Sequence, residues 1–330
     1  MSKPDVVAAI LWIGVTLYAV FGGADFGAGM WDLVARKSER AERARALIDH
    51  SIAPVWEANH VWLIVVLVVL WTAFPPAFSA VMTTLYVPLA LAALGIVLRG
   101  SGFAFRHALP GPVRAPATRV FGISSLLTPF FMGTVVGAVA SGEVPAGGGG
   151  DPFSSWTGIV PLITGVLFVA ASAYLAAVFL VRDAGAAGDE DLEDYFGRRA
   201  LAMAVIAGGA AVAGVLALRS DARFVYDGLT GPGLPLVIAS GLCGLGALVL
   251  LARRVTLAIR PLAVAAVVAV VWGFFVAQHP YMLPESLTID EAVGVSATQT
   301  GVIIVFVVAG IVCLPAFGLL YLLAQRRALE

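Results

Sequence analysis

Pro54-Val55-Trp56-Glu57-Ala58-Asn59-His60-Val61-Trp62-Leu63-Ile64 opens an apolar run over residues 51–74, and it sets a carboxyl, an amide and an imidazole within four positions. A membrane span needs about 20 apolar residues to cross a hydrocarbon core of ~30 Å, and this run is long enough. A second run, over residues 6–31, contains Phe21-Gly22-Gly23-Ala24-Asp25-Phe26-Gly27-Ala28-Gly29 and so carries a carboxyl of its own. An ionisable group at bilayer depth costs roughly 2.5–3.5 kcal/mol. Asp25 and Glu57 are therefore the first candidates for chemistry.

The rest of the chain agrees. Its 330 residues are 60% hydrophobic and 12% charged, against about 25% charged in a soluble domain, and the mean hydropathy is +0.95. The fold class is an all-α polytopic membrane protein. Nine spans are predicted: 6–31, 51–74, 77–98, 120–141, 157–181, 200–218, 234–252, 261–278 and 299–324. They form one membrane domain over residues 1–330. The expected grouping is two four-helix bundles plus one peripheral helix, although no short-period repeat shows it. The first run reads as a retained helix, since no basic n-region precedes it. Pro75-Pro76 separates spans 2 and 3. Seventeen Lys and Arg fall on one set of loops and the C-terminus, Arg106 among them, and three on the other set. By the positive-inside rule the N-terminus is outside and the C-terminus cytoplasmic. Residues 147–150, all Gly, read as a flexible outer connector, and the acidic run 189–194 as a solvated loop leading into a helix.

A net charge of −1 offers no electrostatic footprint for nucleic acid. Four His and two Cys, the latter without metal-ligand spacing, are too few for a metal-cluster protein. Cys243 and Cys313 read as buried small hydrophobes.

Helix rise gives depth. Asp25 lies about 19 residues into span 1, roughly 28 Å, and Glu57 about six residues into span 2, roughly 9 Å. Both fall in the cytoplasmic half, on consecutive helices that could face each other. His60 is at i+3 from Glu57, with Trp56, Asn59 and Leu63 on the adjacent stripe. Asn59 and His60 must look into a bundle or a cavity, because lipid offers no hydrogen bonds. The glycines around Asp25 allow close helix approach and leave space for water. Arg99, at the end of span 3, either snorkels to the interface or pairs with a buried carboxylate, its own or a cofactor's. On residues alone, buried acids in a polytopic chain suggest a stand-alone proton-coupled transporter using Asp25 and Glu57. Spans 4, 6 and 7 are almost wholly apolar, which suits a bundle with one narrow path better.

The 54–64 stretch resembles the signature of subunit II of cytochrome bd-type quinol oxidases, and so does Asp25-Phe26-Gly27-Ala28-Gly29-Met30. Two weaker patches agree: Leu98-Arg99-Gly100-Ser101-Gly102-Phe103-Ala104-Phe105-Arg106, and Ala277-Gln278-His279-Pro280-Tyr281 followed by Leu287-Thr288-Ile289. Glu57 with His60, where other members have Asp and Gln, is similar to the branch called cyanide-insensitive oxidases. The aspartate that the family often has one turn before Asp25 is absent, since Phe21-Gly22-Gly23 stands there.

The resemblance implies a subunit of a respiratory quinol oxidase of the bacterial inner membrane, reducing oxygen to water. Haem b and haem d are expected in a partner, subunit I, with quinol as electron donor and no cofactor bound by this chain alone. A small single-span subunit, membrane lipid and quinone complete the expected partners. Asp25, Glu57, His60 and Asn59 are the expected proton path. Arg99 and Trp56 are the expected contacts to the partner or a haem carboxylate. No haem ligand is assigned: His60 lies on the cytoplasmic side and His279 on the outer side, so they do not share an iron. A single axial ligation by His60 stays open.

Overall fold

A computed structural model describes residues 2–35, 38–52, 56–108 and 114–325. Pro54 and Val55 of the signature lie outside the described residues, as do Arg36, Lys37, Arg326 and Arg327 of the charge count. Among the described residues, nine helices are long and apolar enough to cross a membrane.

The first span is composite. It begins as α1 (Lys3–Leu17), passes through a π-helical turn (Tyr18–Gly22) and continues as α2 (Gly23–Val34). Ser2 and Asp5 start it with a reciprocal capping box, which satisfies backbone N–H groups that a helix start leaves open. A polar helix, α3 (Glu39–Ile52), follows, so residues 51 and 52 belong to it rather than to the second span. That span is α4 (Trp56–Ala73).

The third predicted span, 77–98, is divided. Pro75 opens a short helix, α5 (Pro75–Thr84), which ends at Leu85; the long helix is α6 (Tyr86–Ala108). Arg99 therefore sits inside a helix, and Arg106 in the last turn of the same helix. Next come α7 (Arg114–Ala140), α8 (Ser154–Thr157), α9 (Ile159–Ala186) and α10 (Glu190–Asp221). The sixth span is 32 residues long, not the short 200–218 segment. It starts inside the acidic run, where Asp189 caps it by accepting from the Leu192 backbone N–H. The chain closes with α11 (Arg223–Thr230), α12 (Leu234–Ala252), α13 (Ile259–Gln278), a two-stranded hairpin (Tyr281–Leu283 with Leu287–Thr288), α14 (Ile289–Ala292) and α15 (Ser296–Gln325).

Helix α9 packs against α2, α7 and α10. Small residues permit the closest crossings. A Cβ on Gly27 would overlap the Ser172 carbonyl of α9, and one on Gly137 would lie 2.5 Å from the Pro161 Cα. Such contacts replace the hydrophobic drive that lipid cannot supply between helices. Within the most apolar 18 residues of each span, about half of the first span, α7 and α9 is buried, against 6% for α10 and α15. The apolar outer faces match a bilayer rather than water. Cys243 is half-buried and Cys313 exposed, not buried as expected, because the surface of such a helix is itself apolar. Gly150 donates its N–H to Thr84 Oγ1 at 3.3 Å, so the glycine connector is tied to α5.

Candidate functional site

Asp25 and Asp32 are seven residues apart on α2, hence on one face and about 10 Å apart along the axis. Arg99 and Arg106 have the same spacing on α6. The two helices present these pairs in register. Arg99 Nη2 donates to Asp25 Oδ1 at 2.7 Å and to the Asp25 carbonyl at 3.3 Å, and Arg99 Nε donates to Ser125 Oγ at 3.1 Å. Arg106 bonds Asp32 and also Asp49 of α3. The Phe121 ring of α7 lies between the two guanidiniums, whose central carbons are 5.0 Å (Arg99) and 4.2 Å (Arg106) from its centroid. All four charged residues are at most 4% exposed. Burial of that kind is tolerable only because each charge is paired and stacked.

Asp32 and Arg106 are functional-site neighbours that the sequence reading did not single out. The signal was present: the i, i+7 spacing of the two acids on span 1 recurs in the two arginines of span 3. Arg106 had been counted among solvated loop charges, but it is buried and internal to α6.

A second cluster adjoins Asp25. Tyr18 hydroxyl, Asp25 Oδ2 and His60 Nδ1 are buried and have no hydrogen-bonding partner among the described residues. The His60 ring lies 6.1 Å from Tyr18 and 5.8 Å from Phe26, and Tyr18 meets Phe26 edge-on at 6.3 Å. Asp25 acts electrostatically on both Tyr18 and His60. Buried polar atoms are nearly always satisfied, and each one left unmade costs about 1–3 kcal/mol. Three on adjacent residues mark a place built to exchange hydrogen bonds.

The structure brings His60, but not Glu57, to Asp25. Trp56, Asn59, His60 and Leu63 form the inward stripe of α4, and Glu57 lies roughly 100° around the helix from it. Glu57 is exposed, while Asn59 is 6% exposed. Among the described residues no hydrogen bond or ion pair joins Glu57 to Asp25. Of the two expectations for Arg99, the structure shows the pairing with a buried carboxylate of its own chain: at 1% exposure its guanidinium is held by Asp25. Trp56 is half-buried and packs on Phe103 of α6 at 5.4 Å and on His60 at 6.4 Å.

The histidines do not suit a haem shared within this chain. His279 reaches Asp5 at the start of α1, at 3.4 Å, whereas His60 sits beside Phe26, roughly 30 Å further along that span. Three aromatic rings crowd His60, and its buried Nδ1 points into this chain's own side chains.

Helix α3 lies across the end of the bundle. Arg45 Nε donates to Asp32 at 3.0 Å, Ser51 Oγ donates to Asp183 at 3.0 Å, and Arg40 and Arg43 pair with Asp191 and Asp189. The acidic run thus leads into α10, with Asp189 as its cap, and its Asp189 and Asp191 also pair with arginines of α3.

Residues 3–324 match the family described as "Cytochrome bd terminal oxidase subunit II". A Bacillus subtilis (strain 168) protein whose name carries "cytochrome bd menaquinol oxidase subunit II" is 23% identical over 236 residues, 68% of this chain and 65% of that protein. "Cytochrome bd-I ubiquinol oxidase subunit 2" of Escherichia coli (strain K12) is 34% identical over 110 residues, 32% of this chain and 28% of that protein. The chain thus matches less than two thirds of these relatives' lengths. A solved bd oxidase chain from Geobacillus thermodenitrificans superposes with a TM-score of 0.83 at 23% identity, covering 97% of this chain and 98% of that one. It shares the fold.

Proposed function

The chain belongs to the cytochrome bd terminal oxidase subunit II family, and from that premise we propose that it is the haem-free subunit of a quinol:oxygen oxidoreductase in the bacterial inner membrane. It scaffolds a haem-bearing subunit I and carries cytoplasmic protons toward the oxygen-reducing site. The N-terminus is outside, and α3 lies on the cytoplasmic face. Haem b and haem d in the partner supply the electron-transfer chemistry, with quinol as donor, and a small single-span subunit completes the complex. What is assigned to this chain is the scaffold and the holding and moving of protons.

The observation that carries this reading is the cluster of three buried polar atoms, Tyr18 hydroxyl, Asp25 Oδ2 and His60 Nδ1, without hydrogen-bonding partners among the described residues. Arg99 takes Asp25 Oδ1 and fixes the carboxylate, leaving Oδ2 turned to the path. Asn59 lies one residue from His60 on the inward stripe. Glu57 stands on the outer side of α4, where an ionisable group facing hydrocarbon would be costly. We assign that face to the haem-bearing partner, with Glu57 as the carboxyl that passes protons across the contact.

Glu57→Gln is the test. Quinol-driven oxygen consumption at neutral pH is expected to fall while the haem spectrum stays intact. Unchanged turnover together with unchanged proton uptake removes Glu57 from the path. A reduced-minus-oxidised spectrum of the purified complex addresses the scaffold role: b- and d-type bands are expected in the complex and not in this chain alone. If the chain drawn from its native membrane brings no haem-bearing partner with it, the subunit reading is overturned and the proton-coupled transporter is favoured.

A further inference from the structure

We infer that Tyr18 is a further member of the proton path: its hydroxyl, Asp25 Oδ2 and His60 Nδ1 together bind one cluster of ordered water. This rests on the proton-path reading above and adds a residue and a ligand to it.

Three features of the chain point there. The first is proximity. The Tyr18 and Phe26 ring centroids are 6.3 Å apart although the helix rises about 12 Å between the two residues, so the two side chains close the gap on the face that carries Asp25.

The second is the backbone that permits this. Tyr18 opens the π-helical turn Tyr18–Gly22, and turns of this type occur mostly as single features at functional sites. Gly22 lies under the ring: a Cβ there would come within 2.7 Å of Tyr18 Cε2 and 2.8 Å of Cδ2. Any other residue at position 22 displaces the ring from its place beside Asp25.

The third is chemistry. A buried tyrosine hydroxyl ordinarily finds a partner, and if only the ring mattered, phenylalanine would serve. Tyr18 is 9% exposed, yet among the described residues its hydroxyl has no partner, and neither do Asp25 Oδ2 and His60 Nδ1. A hydroxyl can donate and accept at once, a carboxylate oxygen accepts, and the imidazole nitrogen does either by tautomer. This set satisfies the two to four hydrogen bonds that a buried water makes. Tyr18 thereby bridges α2 to His60 of α4 where the family's earlier aspartate is replaced by Phe21-Gly22-Gly23.

The experiment is Tyr18→Phe in the assembled oxidase. The expected result is a kcat roughly tenfold lower, equivalent to about 1.4 kcal/mol in the barrier, with KM for quinol and oxygen and the haem spectrum unchanged. Gly22→Ala, which moves the ring instead of removing the hydroxyl, is expected to give a similar loss and none beyond it in the Tyr18→Phe background. A structure of the complex is expected to show ordered water within hydrogen-bond distance of the Tyr18 hydroxyl. An unchanged kcat in Tyr18→Phe overturns the inference, as does a failure to assemble, because the ring is kept and only a structural hydroxyl could account for it. So do additive losses from the two variants, or a direct Tyr18–Asp25 bond with no water. If Tyr18→Phe is silent while Glu57→Gln is slow, the inference alone fails; if both are silent, the proton-path reading fails with it.

Discussion

Replacing Arg99 by leucine removes the charge that Asp25 faces and leaves most of the volume. Arg99 is 1% exposed and its partner Asp25 is 4% exposed, so water does not take over the lost contacts. Three hydrogen bonds disappear, at 2.7, 3.1 and 3.3 Å, together with stacking on Phe26 and Phe121 at 5.2 and 5.0 Å. Breaking a buried pair from one side costs about 3–5 kcal/mol, because the remaining charge is uncompensated. At about 2 °C per kcal/mol, the low end of the range for a large domain, thermal unfolding should shift down by roughly 6–10 °C. The assay is thermal unfolding of the complex in one detergent at one scan rate, across Arg99→Leu, Asp25→Asn and the double variant. The double variant is expected to recover part of the loss, since a neutral amide no longer needs a cation. A shift under about 1 °C for Arg99→Leu, or a double variant that loses the sum of the two singles, would refute the reasoning. The pair would then contribute nothing beyond its separate parts.

Two further outcomes test the packing and the surface. Gly27→Ala drives a methyl into the Ser172 backbone of α9, and overpacking of this kind costs about 1–3 kcal/mol. Lower thermal stability and a lower yield of assembled complex are expected, and a wild-type melting curve would show that α2 and α9 can separate freely. Asp191→Asn is the contrast. Its bridges to Arg40 and Arg43 are 42–52% exposed at their side chains, and such pairs contribute about 0–1 kcal/mol. Melting within about 2 °C of wild type is expected; a larger loss would mean that α3 depends on this contact.

Nine spans were legible in the sequence because a bilayer enforces length and hydropathy on each one separately. Asp25 and Glu57 were legible for the same reason, as charges inside apolar runs. What a single helix could not reveal was which other helix completes each group. Arg99 looked equally suited to the interface and to a carboxylate, and only the crossing of α6 over α7 onto α2 assigned it to Asp25. Arg106 was read as a loop cation because apolarity fades near residue 98, although the helix continues to Ala108. Glu57 and His60 were placed on one face from i, i+3 spacing, yet the inward stripe runs through Trp56, Asn59, His60 and Leu63, and Glu57 turns away. Tyr18 drew no notice because a tyrosine in a span is common and a π-helical turn leaves little trace in composition. The sequence by itself determined that the chain is a multi-span membrane protein with an acid inside each of its first two apolar runs, since the cost of desolvation acts on every residue wherever its neighbours lie. The tertiary structure decided which charges neutralise one another and which polar atoms remain open, since pairing depends on distances between helices far apart in the chain.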